Sequence, residues 1–381
     1  MSPRLYLDLS VIQSYPLSCL NRDDLNTPKT ATFGGATRGR VSSQSTKRHN
    51  RVAVESRLGD PAIRTRRLPE VVSMELQRLG HEPAWADRAG RMLVLAAGVD
   101  GVKIEAKTND TNSMLFLPKA GVRALADLAV ENQALIEAAS TAAEEKKAQE
   151  KLSKAAGKAV LDILRGRTSS IAAFGRMLAN EPGSAVDGAI QVAHQVTTHA
   201  TAVQSDFFTA VDDITHGQQD ESGSAHMGTV QLMSGTFYRF ASVNMHELAR
   251  NLGDDAPAAR QVAVEFARAF ATTTPTARKN GTAPFTAPAV LYAVLRTDTP
   301  VNLCDAFERP VLARDGSGWV EPSIAAFDRH VAATNGFYGT EPIAFAVHTN
   351  LTQVPTGNLG DRVAGLGELT SLLTDALAKA I

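Results

Sequence analysis

The chain has 381 residues, a formal net charge of −1, and 44% hydrophobic and 21% charged content, as expected of a soluble globular protein with room for two or three domains. Two cysteines, Cys19 and Cys304, allow at most one bridge, which excludes a disulfide scaffold and fits free thiols in a reducing cytoplasm. The longest apolar run, residues 92–99, is far below a membrane span, and Asp8 falls too early for a signal-peptide core, so a cytoplasmic protein with no membrane partner is expected.

In chain order, Leu5, Leu7, Leu9 and Val11 alternate with Tyr6, Asp8 and Ser10, the period of a half-buried strand over 4–12. A loop with Gly34 and Gly35 follows. Ser42 or Ser43 then caps a helix running to about Leu58, on which Lys47 and Arg51, four apart, share a face. Residues 18–67 hold eleven Lys/Arg against four Asp/Glu, a local +7, so the remainder sums to −8. Such segregation in a near-neutral chain points to an anionic partner held at one place.

From about 60 to 180 the composition turns helical. Residues 120–165 read as almost wholly helical, with 142–154 polar enough for a solvent-exposed helix or a loose connection. Strand character returns near 189–204. Residues 205–230 read as a long hairpin with a Gly/Ser/Gln tip, and Phe237 to Asn244 as the strongest strand. A helix at 257–271 and a strand at 289–296 follow, separated by a loop carrying Arg278 and Lys279. Without its inserts the order is β-α-β-β-α-β, a ferredoxin-like arrangement that RNA-recognition domains share.

Zincin, Cys-x-x-Cys, phosphate-loop and nucleophile-elbow motifs do not occur. His194 and His199, five apart, share no helical face and read as ordinary hydrogen-bonded histidines. The adjacent pairs Asp23-Asp24, Asp212-Asp213 and Asp254-Asp255 read as turn and cap residues. A charge run alone reads as a solvated face. Here, however, a serine-capped helix start, two flexible glycines and several arginines converge, which favours a phosphate site. Phe207 and Phe208 read either as core at the hairpin base or as a wedge against bases.

Several motifs closely resemble the repeated backbone subunit (CasC family) of the type I-E CRISPR interference complex, Cascade. They are Ser-Cys-Leu-Asn-Arg-Asp-Asp at 18–24, Phe-Gly-Gly at 33–35, Arg-Val-Ser-Ser-Gln-Ser-x-Lys-Arg at 40–48, Phe-Gly-Arg-Met at 174–177, Asp-x-Phe-Thr-Ala-Val-Asp-Asp at 206–213 and Phe-Tyr-Arg-Phe-Ala-Ser-Val-Asn at 237–244. Each is modestly specific alone; all in this order are very specific.

The resemblance implies an α+β fold: a ferredoxin-like, RRM-like palm with a helical fingers insertion and a β-hairpin thumb. It places the palm at 1–58, 181–204 and 231–381, the fingers at 59–180 and the thumb at 205–230. It implies a non-enzymatic subunit with no catalytic residue, metal or cofactor. Its partners would be CRISPR RNA, target DNA through the guide heteroduplex, further copies of itself and other Cascade subunits. Arg22, Lys29, Arg38, Arg40, Ser43, Gln44, Lys47, Arg48 and Arg51 become RNA contacts, joined by Arg278 and Lys279 in a more loosely matching loop. Met177 with Phe207 or Phe208 becomes an apolar wedge that kinks the guide. The alternative is an RNA-guided ribonuclease subunit using Asp23 or Asp24, as in related type III complexes.

Overall fold

The computed structural model describes residues 4–105, 107–138, 142–177, 181–210, 226–313, 316 and 318–381. The chain divides into two compact units: residues 1–50, 191–246 and 263–381, and residues 51–190 with 247–262. The resemblance places the first boundary at 58/59; the structure draws it within a helix, at Asn50/Arg51.

The first unit is built on a ten-stranded sheet. In chain order its elements are β1 (Tyr6–Ser18), β2 (Thr30–Phe33), β3 (Ala36–Val41) and the start of α1 (Ser43–Leu58). Then come β4 (Gln195–Thr197), β5 (Gln204–Ala210), β6 (His226–Asn244) and the second half of α2 (Ala256–Thr272). The unit closes with β7 (Val290–Arg296), α3 (Val320–Tyr338), β8 (Ile343–Asn350), β9 (Asp361–Val363) and α4 (Leu366–Ala380). The strand order is β9-β8-β7-β1-β6-β4-β3-β2, with the short strand Ile190–Val192 and β5 also paired to β6. At its centre β7-β1-β6-β4, all antiparallel, is the ferredoxin-like order 4-1-3-2, connected β1-α1-β4-β6-α2-β7.

Alternation on β1 predicted one wet face. Instead Asp8 and Ser10 are as buried as Leu7, Leu9 and Val11. The reason is α3, which lies beyond the elements read from the sequence. Its Ile324, Phe327 and Val331 pack with Phe307, Tyr238, Phe240 and Tyr292 over the Asp8 face. The polar groups there are met: Ser10 Oγ and Tyr238 Oη lie 3.0 Å apart, and Asp8 Oδ2 accepts the Val301 N–H. On the opposite face the buried Arg239 guanidinium lies over the Phe270 ring and donates to Gln13 Oε1.

Residues 30–41, read as a loop, form the β2–β3 hairpin. Its turn uses Gly34 at φ +58°, where a Cβ would sit 1.6 Å from the Glu308 carbonyl oxygen, so only glycine fits. β5 pairs with β6 from Gln204↔Leu232 to Ala210↔His226, which gives the two arms of the expected hairpin. The tip, residues 211–225 with Asp212 and Asp213, lies outside the described residues.

The second unit is mostly helical, with a small sheet pairing Ala62–Thr65 to Leu115–Pro118. Helices Leu68–Arg78, Pro83–Ala96 and Ala120–Glu131 bury Val72, Leu76, Met92, Leu93 and Leu125 against Ala142–Arg165. That last helix is no loose connection: Ala148, Leu152, Ala156, Val160 and Leu164 recur every four residues as a buried stripe beneath its charged face.

Candidate nucleic-acid interface

The candidate RNA-contact residues of the first unit gather where β1 leaves the sheet, where β3 meets α1, and beside the hairpin. Asn21 organises the start of α1: its Oδ1 accepts the Ser42 N–H at 2.9 Å, while its carbonyl accepts the Lys29 N–H. Lys29 in turn accepts the Arg40 N–H at 2.8 Å, fixing both cations beside the helix start. There the Ser43 N–H donates to His194 Nδ1 at 3.3 Å, and Arg40 Nη1 lies 3.5 Å from the same nitrogen. Partial burial, then the charges of Arg40 and Lys29, hold His194 below its ordinary pKa, so it caps the helix as a neutral acceptor. The first turns of α1 carry exposed Gln44 and Arg48 with half-buried Ser43 and Lys47. Helix α1 is seated by Gln195 Nε2 donating to Thr46 Oγ1 at 2.7 Å, and by His49 Nε2 lying 3.1 Å from Thr276 Oγ1.

Thr276 opens the loop that holds Arg278 and Lys279. Arg278 and Ala283 flank the short helix Lys279–Thr282 in left-handed conformations, at φ +51° and +40°, uncommon for side chains of this kind. This loop forms one wall of a groove of about 530 Å³ whose other wall is the hairpin, with Asp206, Phe208, Val230 and Leu232. Pairing of Phe208 with Gly228 and of Asp206 with Val230 puts these side chains on one face. A Cβ at Gly228 would clash with the Phe208 ring, which therefore lies across the strand. Phe207 points to the opposite face, the one that also presents Met227, and is 64% exposed against 43% for Phe208. Burial pushes the Cys19 thiol above its ordinary pKa, and the charges of Arg278 and Arg22 pull the other way.

Two expected RNA contacts take other roles. Arg38 is fully buried, at 0% exposure. Its guanidinium donates to the carbonyl oxygens of Phe33, Thr197, Phe307 and Glu308, so β3 places it inside and not on a phosphate. Arg51 falls in the second unit. There it forms a 2.6 Å ion pair with Glu55 and lies over the Phe116 ring, so its charge is already matched.

Met177 also belongs to the second unit and is 86% exposed. Its neighbour Arg176 explains the display. That guanidinium is buried and donates to the carbonyl oxygens of Ser184, Phe116, Leu164, Arg165 and Gly166, capping the end of helix Ala142–Arg165. Burial pulls Arg176 down to about 10, still charged at neutral pH. The Phe-Gly-Arg-Met motif thus anchors one side chain and presents the next.

The carboxylate pairs take the expected turn and cap roles where described. Asp23 accepts from the Leu25 and Thr27 N–H groups and the Thr27 hydroxyl, which hold its carboxyl below the usual range. Asp255 caps α2 through the Ala258 N–H. Cys19 and Cys304 are free thiols. Among the described residues no group of three His, Cys, Asp or Glu could hold a metal ion, and no helix is long and apolar enough to cross a membrane.

Sequence reasoning misses Asn21, His49 and Gln195, while His194 is the hydrogen-bonded histidine expected, now with its partners. The five-residue spacing of His194 and His199 fits no helical face because the two flank the three-residue strand Gln195–Thr197. No spacing rule would have paired His194 with Arg40.

No curated protein sequence matches the chain. Among solved structures, a chain of a CRISPR RNA-guided surveillance complex, pre-nicking, is 34% identical with a TM-score of 0.85, covering 99% of this chain and 100% of its own length. A chain of another CRISPR RNA-guided surveillance complex is 29% identical with a TM-score of 0.79, covering 97% of this chain and 99% of its own. The family model described as CT1975-like protein matches residues 7–371, and with nearly the whole chain so matched, the protein belongs to the CT1975-like family.

Proposed function

We propose that this protein is the repeated backbone subunit of a CRISPR RNA-guided surveillance complex of type I-E, holding the guide by its phosphates without cleaving it. The observation that carries this reading is the convergence of Lys29, Arg40, Lys47 and Arg48 on the start of α1, in the same unit as a basic groove faced by Phe208. Cations and a helix start suit phosphate oxygens and carry no base code, as a subunit that leaves sequence to base pairing requires. Full-length similarity to chains of CRISPR RNA-guided surveillance complexes supports the guide-holding role.

In this reading Phe208 and the Arg278–Lys279 loop receive a nucleotide between an aromatic face and positive charge. Phe207 supplies apolar surface to the kinked guide, and Met177 of the second unit is a further apolar contact to it. The chain works in several copies along one guide, with other Cascade subunits and target DNA as further partners.

Co-expression with CRISPR RNA tests the proposal. Co-purification with RNA of one defined length is the expected result, and protein free of nucleic acid overturns it. Cutting of complementary RNA in divalent metal, abolished by Asp24→Ala, would replace this reading with the ribonuclease one. Asp23 is the weaker candidate for such chemistry, since three donors already occupy its oxygens.

A further inference from the structure

At the root of the hairpin one imidazole ties both arms. His199 lies between β4 and β5 with its side chain buried. The Thr236 N–H of β6 donates to its Nε2 at 3.1 Å, which leaves the ring proton on Nδ1, 2.8 Å from the Ala200 carbonyl oxygen. The ring stacks on Trp319, just before α3, with centroids 3.9 Å apart and planes at 9°. The surrounding bonds converge on the same turn. Thr198 N–H donates to the Thr236 carbonyl, Ser323 Oγ to Thr198 Oγ1, and Thr201 N–H to the Thr37 carbonyl of β3. A Cβ at Gly235 would come within 3.3 Å of Nε2, so the backbone of β6 runs directly against the ring.

We propose that His199 is the positioning residue that sets the direction in which the hairpin leaves the sheet, a clasp closed only while Nε2 is an unprotonated acceptor. A proton there would turn toward the Thr236 N–H, donor against donor, and the tie between the arms would open. Burial, and then the charge of Arg38 from β3, hold the imidazole below its ordinary 6.5, while the Ala200 carbonyl pulls the other way. Arg38, whose guanidinium donates to the Thr197 carbonyl nearby, is the charged group whose field acts on the ring. Trp319, Thr236 and Gly235 bring no titratable group from α3 or β6. With the folded pKa depressed, the clasp contributes fully above about pH 6.5 and loses its contribution as pH falls below that value.

Hydrogen exchange on the full chain without RNA tests this independently of the guide-binding reading. Peptides covering 198–210 and 226–238 are compared with β7, at pH 7.5 and 5.5, after correction for intrinsic exchange. In the wild type, protection at the hairpin root should fall on acidification while β7 holds. His199→Gln, which keeps an acceptor and a donor but does not titrate, should show no such fall. His199→Ala should lose root protection at both pH values. Matching pH profiles for wild type and His199→Gln, or an acid-insensitive wild type, would overturn the proposal even if His199→Ala fails to fold.

Discussion

Arg38 Nη2 donates to the Phe307 carbonyl oxygen at 2.9 Å, joining a β-hairpin near the start of the chain to a turn 269 residues later. Two positions on, Arg40 stands half-exposed beside Lys29 and His194. One strand thus carries a strut and a proposed RNA contact in residues of the same chemistry.

Arg38→Ala should therefore act on stability. It removes charge-assisted bonds to four carbonyl oxygens, each worth about 1.5–3 kcal/mol when made, so a net loss on the order of 3–5 kcal/mol is expected in urea unfolding. Arg40→Ala should leave the midpoint nearly unchanged and weaken RNA binding. The reverse pattern would reassign both residues.

Lys47→Ala with Arg48→Ala should lower RNA affinity by the same factor for guides of unrelated sequence. If each removes one phosphate contact, the log–log salt slope should flatten by roughly 1.4 for single-stranded RNA, about 0.7 per contact. A loss restricted to certain guides would show base reading instead.

Phe207→Ala and Phe208→Ala separate surface from core. Neither ring is buried in a core, since Phe207 is exposed and Phe208 lies across the partner strand at the surface, so neither change should approach the 3–5 kcal/mol typical of a buried Phe→Ala. Phe208→Ala should weaken guide binding together with Arg278→Ala, since both line one groove. Phe207→Ala should instead even out the periodic chemical reactivity of nucleotides along the assembled guide. Unchanged reactivity would leave Phe207 without the role assigned to it.

Asp8 offers a pH test of opposite sign to His199. Burial pushes its carboxyl up to about 6, against the Ser242 hydroxyl, the Val301 N–H and Arg296, which pull it down. The folded state then binds its proton more tightly than the unfolded chain, so this group favours folding at acid pH and that benefit fades as pH rises through 6. Asp8→Asn should be more stable than wild type at pH 7.5, by up to about 2–3 kcal/mol, and the difference should shrink at pH 5. A constant difference across that range would show that Asp8 does not titrate there.

The sequence was most legible where local and global signals agree. Serines at 42 and 43 before a helical run gave α1 its observed start and end, and the apolar run before Arg296 gave β7. The second palm strand was hard to place because it is split into two three-residue pieces, Ile190–Val192 and Gln195–Thr197, too short for an alternation to register. Arg38 misled for a related reason. Inside a basic run an arginine reads as solvated, and no local feature shows carbonyls from 197, 307 and 308 closing around it. The buried polar face of β1 likewise depends on α3, more than 300 residues downstream.

β6 is one unbroken strand of 19 residues, exposed at Met227 and buried by Phe237. Its outer part is consequently a ruler with discrete settings. The seven residues from His226 to Leu232 extend roughly 23 Å at about 3.3 Å each, and length can change only in whole residues. A pair added to each arm would lengthen the reach by nearly 7 Å and keep Phe208 toward the basic loop. A single residue added to each would exchange the faces and turn Phe207 toward it. Arms of this kind tolerate drift in steps of two, and a family built on them should vary in reach without varying in handedness.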